Sequence, residues 1–197
     1  MYKKFGKRVL DIVLAIILLI ILFVPMLLIG IIIKLDSPGP VFFRQRRLGK
    51  DKKEFGMIKF RSMSTLAPKY TPKHKLKGAM SYISPFGRFI RKYSIDELPQ
   101  LFNILGGSMS FVGPRPALYN QYDLIEARDR YGANTLTPGL SGWAQINGRD
   151  EIDTERKAAL DGEYLEKQSF LFDLYCLSRT LKVVLLAEGV VEGEMEE

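Results

Sequence analysis

Two adjacent carboxylates, Asp96 and Glu97, are the side chains of this chain best suited to nucleophilic chemistry. The chain has one histidine, His74, in a stretch rich in lysine and proline, and one cysteine, Cys176. A Ser-His or Cys-His catalytic device would depend on His74, and a zinc site needs more ligands of these types. The sequence therefore predicts that any nucleophile or base is a carboxylate. The single cysteine also excludes an intrachain disulfide, which is typical of a reducing compartment.

The sequence allows two local structures around this carboxylate pair. Ser94 and Glu97 have the spacing of a capping box, in which the two side chains satisfy the N-terminus of a helix. Pro99 would then lie in the first turn and disturb its hydrogen bonding, so the alternative is a helix that begins at Pro99. In that alternative Asp96 and Glu97 stand at the helix mouth, where the helix dipole keeps a carboxylate ionised. Either structure is compatible with a nucleophilic role.

Basic side chains occur on both sides of the carboxylate pair: Lys59, Arg61, Arg88, Arg91, Lys92, Arg115 and Arg149. For any one of them, a solvated surface charge is the simpler interpretation. Arg115 is better placed, because it lies between Pro114 and Pro116 in a stiff turn, and arginine can bind phosphate through two parallel hydrogen bonds. The stretch from Pro138 to Arg149 has the glycines and polar groups of a nucleotide-binding loop, although glycine-rich turns are common.

The N-terminal part of the chain has the composition of a membrane segment. Ile12 to Ile33 is a run of 22 residues without a charge, and about 20 apolar residues cross a bilayer. Pro25 disturbs the helical hydrogen bonding of this run, and Lys and Arg residues lie on both sides of it. The positive-inside rule places both flanks in the cytoplasm, which favours a re-entrant helix that breaks and returns. The alternative is a kinked helix that crosses the membrane once.

The charge of the chain is unevenly distributed. Residues 1–62 carry 13 Lys and Arg against 4 Asp and Glu, whereas residues 63–197 carry 16 against 18. The basic excess therefore lies beside the apolar run. That position suits attraction to an anionic lipid leaflet better than a nucleic-acid-binding face.

The rest of the chain predicts a mostly helical α+β domain. Turn-forming residues at 36–40 end the membrane segment, and β-rich stretches at 41–45 and 55–61 predict a small hairpin. Helices are predicted at 84–93, 98–105, 118–130 and 153–167, with a short strand between 108 and 116 and a loop at 137–149. An apolar stripe from Phe170 to Leu185 predicts a last helix, which packs in the core or lies on the membrane surface.

Short motifs follow one another along nearly all of residues 3–187: Lys7-Arg8-Val9-Leu10-Asp11, Asp36-Ser37-Pro38-Gly39-Pro40-Val41-Phe42-Phe43, Gln45-Arg46-Arg47-Leu48-Gly49, Lys59-Phe60-Arg61-Ser62-Met63, the run from Asp96 to Leu105, the run from Met109 to Pro116, Gln145-Ile146-Asn147-Gly148-Arg149, and Asp161-x-x-Tyr164 with Ser169 and Asp173. In this order they resemble the bacterial sugar transferase family, and within it the small monotopic polyprenyl-phosphate phosphoglycosyl transferases. One departure is Val24 before Pro25, where family members often have serine.

The resemblance implies a Mg²⁺-dependent enzyme that transfers a sugar 1-phosphate from a UDP-sugar to undecaprenyl phosphate and releases UMP. It implies that Asp96 attacks the diphosphate, forms a covalent phosphosugar and binds Mg²⁺, with Glu97 as the second member of the pair. The other implied site residues match phosphate-binding positions, Arg91 and Arg115, or lie in motifs near the nucleotide, Lys59, Gln145 and Arg149.

The resemblance also implies how the chain is organised. Residues 1–35 would form a re-entrant anchoring helix, residues 36–187 a catalytic domain with amphipathic interface helices around the active site, and residues 188–197 an acidic tail. The expected location is the cytoplasmic face of the bacterial inner membrane, at the first membrane step of polysaccharide or glycoprotein assembly. The expected partners are the two substrates and anionic lipid. Nucleic acid is not an expected partner, and the resemblance leaves a homodimer open.

The competing interpretation is a basic, membrane-anchored adaptor without enzymatic activity. It accounts for the N-terminal charge but not for Asp96-Glu97-Leu98-Pro99 or Gly113-Pro114-Arg115-Pro116. The sequence indicates no residue that selects the sugar.

Overall fold

A long N-terminal helix leads into a domain of short helices and strands. The computed structural model describes residues 2–67, 82–148 and 152–186, so His74, Arg149 and the acidic tail lie outside the described residues. The elements are α1 (Lys7–Asp36), β1 (Phe42–Leu48), β2 (Glu54–Phe60), α2 (Pro85–Lys92), α3 (Gln100–Leu105), β3 (Ser110–Val112), α4 (Tyr122–Arg130), β4 (Gly139–Ser141), α5 (Trp143–Ile146), α6 (Thr154–Lys167) and α7 (Phe170–Leu186). The predicted α+β, mostly helical fold is confirmed.

Helix α1 has 30 residues, which is about 45 Å of helix at 1.5 Å per residue. Of the helices in the described ranges, it alone is long and apolar enough to cross a membrane. Most of its side chains are open to the surroundings, with Ile20 72% and Phe23 66% exposed. The sequence predicts a break at Pro25, but Pro25 lies inside one helix. A proline removes one backbone hydrogen bond, and the regular turns on either side keep the helix continuous.

The first turns of α1 are fastened to the domain by polar contacts. Arg8 donates to the carbonyl of Leu105, at 2.6 Å, and to that of Ile104, so it satisfies the carbonyls at the end of α3. Asp11 accepts a hydrogen bond from the backbone N–H of Phe111 at 3.0 Å. These contacts fix the N-terminal end of α1 against α3 and β3.

The other end of α1 is fastened by Arg61, which follows β2. Its guanidinium donates to the carbonyls of Ile33, at 3.1 Å, of Ser37, at 2.7 Å, and of Pro38. The Ile33 carbonyl also accepts a long hydrogen bond, 3.4 Å, from the N–H of Ser37, and Ser37 and Pro38 follow the last helical residue, so Arg61 acts as a C-terminal cap. Arg61 was one of the basic residues that the sequence offered as a phosphate ligand, and its guanidinium is instead occupied by the end of α1.

Two small sheets connect the helices. Strands β1 and β2 form the predicted antiparallel hairpin, with Phe42 opposite Phe60. Strands β3 and β4 pair in parallel, with Ser110 opposite Gly139. The sequence predicts a loop where β4 and α5 occur, because three residues are too few to show a strand periodicity. The pair needs glycine, since a Cβ at Gly139 would lie 2.1 Å from the backbone nitrogen of Gly113.

Helix α1 contributes to two separate hydrophobic clusters. Its first half packs Ala15 into the larger one, with Leu101, Ile104, Met109, Phe111, Val112 and Tyr164 among the other members. Its second half packs Met26 and Ile33 against Phe60 and Ile90 in the smaller one. Helix α7 has two faces: Cys176 is fully buried, whereas Leu171 and Leu181 are 74% and 66% exposed. The last helix therefore both packs in the core and presents an apolar outer face.

Candidate active site

The carboxylate pair lies on a single 3₁₀ turn, Ile95–Glu97, directly before α3. Ser94, which precedes the turn, has a φ of 55°, and its side chain makes no capping hydrogen bond. Pro99 is the N-cap of α3, whose first residue is Gln100. The capping box is therefore wrong, and the helix begins next to Pro99, as in the alternative. The Ser94 N–H, which a capping box would pair with Glu97, donates instead to the Arg91 carbonyl at 3.0 Å, and the Glu97 carboxylate binds two cations.

Two cations converge on one oxygen of Glu97. Lys59 Nζ lies 2.6 Å and Arg115 Nη2 lies 3.0 Å from Glu97 Oε1. Glu97 and Asp96 are each 7% exposed, and Lys59 is 9% exposed. Charges this far from water are tolerated only when they are paired. The structure thus brings together four of the residues that the sequence singled out.

The partners of Glu97 come from segments far away in the chain. Lys59 lies near the end of β2, where the hairpin places it opposite Phe43. Arg115 follows β3 in a turn whose backbone is held by β4: the N–H of Gly113 donates to Ser141 at 2.8 Å, and that of Gly139 donates to Pro114 at 2.9 Å. The two sheets therefore position the two cations.

The electrostatics of the cluster keep Glu97 ionised. Burial alone would raise the pKa of Glu97, but Lys59 and Arg115 hold it well below the ordinary value. Burial lowers the pKa of Lys59, whereas the carboxylates of Glu97 and Asp96 act in the opposite direction. Asp96 is therefore near enough to Lys59 to interact with its charge. The site therefore presents the ionised Glu97 carboxylate beside cations that can also face a phosphate.

Arg47 belongs to this cluster and was missed as a site residue from the sequence. It donates to the carbonyl of Pro116 at 2.9 Å and twice to Gln45 Oε1, at 2.9 and 2.7 Å. Burial lowers its pKa to about 9, with a further decrease from Arg115 and an opposing effect of Glu97, so it stays charged at neutral pH. The available signal was the strand period, which puts Phe43, Gln45 and Arg47 on the inward face of β1.

The other predicted residues are arranged around this centre. Arg91 lies in the last turn of α2, and its carbonyl accepts the N–H of Ser94 at 3.0 Å, directly before the carboxylate turn. Gln145 lies on α5 and donates to the carbonyl of Leu140 at 3.0 Å. Its Oε1 is buried without a hydrogen-bond partner among the described residues. Gln145 therefore contacts β4, the strand that pairs with β3, and no hydrogen bond to Glu97 is found in the described part of the chain.

The donor set decides which kind of metal site is compatible with the cluster. Within the described residues there is no group of three or more His, Cys, Asp or Glu that could hold an ion by itself. Mg²⁺ typically keeps several waters and takes one or two carboxylates together with substrate phosphates. The cluster has two carboxylates, Asp96 and Glu97, and Glu97 binds two cations. The residues thus fit a Mg²⁺ ion shared with a phosphate substrate and not a site made by protein alone.

Comparison with known proteins gives one consistent family. The profile of the bacterial sugar transferase family matches residues 2–187. An uncharacterized sugar transferase, EpsL, of Bacillus subtilis is 41% identical over 93% of this chain and 89% of its own length. A UDP-glucose:undecaprenyl-phosphate glucose-1-phosphate transferase of Xanthomonas campestris is 40% identical over 93% of this chain but 40% of its own length. An exopolysaccharide production protein, ExoY, of Sinorhizobium fredii is 32% identical over 87% of its length.

The relatives therefore fall into two size classes, and the chain spans less than half of the larger ones. The match extends from the start of α1 to the end of α7, and so includes the membrane-type helix as well as the carboxylate turn. On this evidence the chain belongs to the bacterial sugar transferase family.

Proposed function

We propose that this protein transfers a sugar 1-phosphate from a UDP-sugar to undecaprenyl phosphate, releasing UMP and forming an undecaprenyl-diphosphate sugar. The observation that carries the proposal is the buried carboxylate pair with Lys59 and Arg115 converging on Glu97. Relatives with the names of undecaprenyl-phosphate sugar phosphotransferases, including those of Xanthomonas campestris and Escherichia coli, support the substrate classes. The product is the lipid-linked sugar on which polysaccharide assembly begins.

In the first step an oxygen of Asp96 attacks the phosphorus that carries the sugar. A bond forms between this oxygen and the phosphorus, the bond from phosphorus to the bridging diphosphate oxygen breaks, and UMP leaves with that oxygen and its electron pair. Lys59 and Arg115 lower the energy of the negative charge that builds up on the phosphate oxygens. Glu97 holds both cations in place before the substrate arrives.

In the second step an oxygen of undecaprenyl phosphate attacks the same phosphorus. The new diphosphate bond forms, the bond to Asp96 breaks, and the carboxylate is regenerated without any net proton transfer. A Mg²⁺ ion held by Asp96 and the diphosphate would neutralise charge on the phosphate oxygens. The chain's own task is to keep Asp96 ionised, directed at the phosphorus and shielded from water.

The placement of α1 supports attachment to one face of a membrane. Buried polar contacts tie both its first turn, through Arg8 and Asp11, and its last turn, through Arg61, to the same domain. A helix that crossed a bilayer would place its two ends on opposite surfaces, where one domain could not contact both. We therefore include in the proposal that both ends of α1 lie on the cytoplasmic face of the inner membrane, with its exposed apolar side chains in the cytoplasmic leaflet.

The mechanism is tested with protein in detergent, Mg²⁺ and a UDP-sugar labelled in the sugar phosphate. Without lipid acceptor, we expect UMP release limited by the amount of enzyme, and label that remains on denatured protein. Asp96→Asn should abolish both signals, because an amide is not a competent nucleophile. Screening a panel of UDP-sugars in the same assay would identify the donor.

Two outcomes would overturn parts of this mechanism. Label trapped by the Asp96→Asn variant would assign the nucleophile to another residue. UMP that appears only when lipid phosphate is present would indicate direct transfer in a ternary complex. If no UDP-sugar releases UMP even with lipid phosphate, the adaptor interpretation is the better one.

The membrane path is tested with single cysteines at Lys3 and Lys53, one on each side of α1, in a Cys176→Ala background. Both positions are exposed, so a membrane-impermeant maleimide can reach them from the correct side. We expect both to be protected in intact spheroplasts and both to be labelled in inside-out vesicles. Labelling of the two positions from opposite faces would show that α1 crosses the membrane.

A further inference from the structure

Asn103 is a buried amide that touches two segments of the candidate active site. It lies on α3, on the segment that carries Asp96 and Glu97, and is 7% exposed. Its Oδ1 accepts the N–H of Ile58 at 2.9 Å, and its Nδ2 donates to the carbonyl of Gly56 at 2.9 Å. Nδ2 also lies 3.2 Å from Ser108 Oγ.

These contacts imitate the pairing of a β-strand. In the structure β2 has a strand partner, β1, on one side. In an extended strand the N–H and carbonyl of alternate residues point to the same edge, so Gly56 and Ile58 present one carbonyl and one N–H to Asn103. The amide therefore takes the place of a neighbouring strand at this edge. Lys59 is the next residue after Ile58, so its position depends on this edge.

We propose that Asn103 is a positioning residue that sets the distance between Lys59 and Glu97. The inference rests on the proposed function, in which these two side chains prepare the site for a diphosphate. One amide ties the strand that bears Lys59 to the segment that bears Glu97, and it does so within one residue of the lysine. Without it, the bond of Lys59 to Glu97 and apolar contacts remain between these segments in the described residues, and apolar contacts are not directional and allow the strand to shift. A shift of about 1 Å at a reacting centre can reduce turnover about 100-fold.

The chain offers an internal reference for the test. Lys7 and Lys59 have the same N–O distance to their carboxylates, 2.6 Å, and each side chain is 11% exposed. General unfolding would expose both amines, whereas loss of positioning would expose Lys59 alone. Reaction of the two lysines with an amine-selective acylating reagent, measured by mass spectrometry on intact protein in detergent, therefore separates the two effects.

The variant to be tested is Asn103→Ala. We expect Lys59 to react about tenfold faster relative to Lys7, as for loss of one or two buried hydrogen bonds. In the UMP-release assay kcat should fall about 100-fold, with a much smaller change in the KM for UDP-sugar. Ser108→Ala removes the third partner of the amide but neither bond to β2, and should stay near wild type in both measurements.

A second control is Asn134→Ala, which removes a carboxamide with two 2.8 Å hydrogen bonds, to the Ile125 carbonyl and to Asp129, outside this cluster. It should leave both the Lys59 to Lys7 ratio and kcat unchanged. The proposal is overturned if Asn103→Ala increases the reactivity of Lys7 and Lys59 in parallel, or if it turns over normally. The acylation readout does not need substrate. If the wild-type protein never releases UMP but Asn103→Ala still shows the selective change at Lys59, the proposed function is contradicted and the positioning role remains.

Discussion

Two buried lysine–carboxylate pairs in this protein have the same geometry in very different surroundings. Lys7 pairs with Asp173 at 2.6 Å where α1 meets α7, and Lys59 pairs with Glu97 at 2.6 Å in the candidate active site. Asp173 is further satisfied by two phenols: Tyr2 donates to the oxygen that binds Lys7, at 2.5 Å, and Tyr164 donates to the other, at 2.6 Å. Every oxygen of this carboxylate has a donor.

The pair in the candidate active site is built differently. Both Lys59 and Arg115 bind the same oxygen of Glu97, and a second carboxylate, Asp96, is adjacent in the chain. Arg47 contacts the carbonyl of Pro116, next to Arg115, and the positive charges of the two arginines repel each other. Two cations therefore share one oxygen of Glu97, and this concentration of positive charge favours the arrival of a further anion.

The distance within a buried pair therefore does not reveal its role. What differs is whether neutral phenols complete the hydrogen bonding of the carboxylate, as at Asp173, or a second cation joins the first, as at Glu97. The first arrangement suits an anchor, here the attachment of α1. The second suits binding and charge stabilisation of a diphosphate.

The sharpest test of this comparison neutralises the acid in each pair. Glu97→Gln should reduce kcat by about 100-fold or more, because Lys59 and Arg115 lose the charge that holds them together. Asp173→Asn should reduce the free energy of unfolding by about 3–5 kcal/mol, because Lys7 keeps a buried charge without a counterion. Its kcat, corrected for the folded fraction, should stay close to wild type. UMP release and thermal unfolding of both variants in detergent provide the measurements.

The loss of stability is expected to be smaller for Glu97→Gln than for Asp173→Asn, the reverse of the expected order for the loss of kcat. Glu97→Gln should unfold closer to wild type than Asp173→Asn, since Asp96 remains near Lys59 and compensates part of its charge. Equal losses of kcat in the two variants, each corrected for its folded fraction, would show that the two pairs do not differ in role.

Most of the fold could be predicted because its helices are periodic and locally specified. The helix predicted at 153–167 is found at Thr154–Lys167, with Asp153 capping it through the N–H of Arg156 at 2.7 Å. The helix predicted at 118–130 begins only at Tyr122, and β4 was predicted as loop. Both errors concern segments whose structure depends on partners distant in the sequence, such as the pairing of β4 with β3.

The candidate site was predictable in its residue types but not in its pairing. Asp96, Glu97 and Arg115 could be singled out from carboxylate adjacency and from the two prolines. Which cation binds Glu97 could not, because Lys59 is 38 residues away and reaches it only through the hairpin. Asn103 carries no signal in the sequence, since a buried amide in a helix is recognisable only when its strand partner is known.

A last test, with a smaller expected effect, changes the arginine partners of the two kinds of site and leaves the acids in place. Arg115 contacts Glu97 with a side chain that is 30% exposed, whereas Arg128 is buried and donates to Asp161 Oδ2 through Nε at 2.8 Å, with Nη2 2.7 Å from the same oxygen. Arg115→Lys keeps the charge but loses the planar group that can bind two phosphate oxygens at once. We expect kcat/KM for the UDP-sugar to fall roughly tenfold to 100-fold.

Arg128→Lys is the matched control, because it makes the same chemical change in a pair between α4 and α6. It should lower the unfolding temperature, since one lysine cannot replace both nitrogens at Asp161, and should leave kcat/KM of the folded protein close to wild type. Near-normal turnover of Arg115→Lys would mean that Arg115 balances the charge of Glu97 without binding phosphate. A large loss of kcat/KM in Arg128→Lys would mean that the planar guanidinium group is needed throughout the domain. The arrangement around Glu97 would then give no reason to assign a special role to its cations.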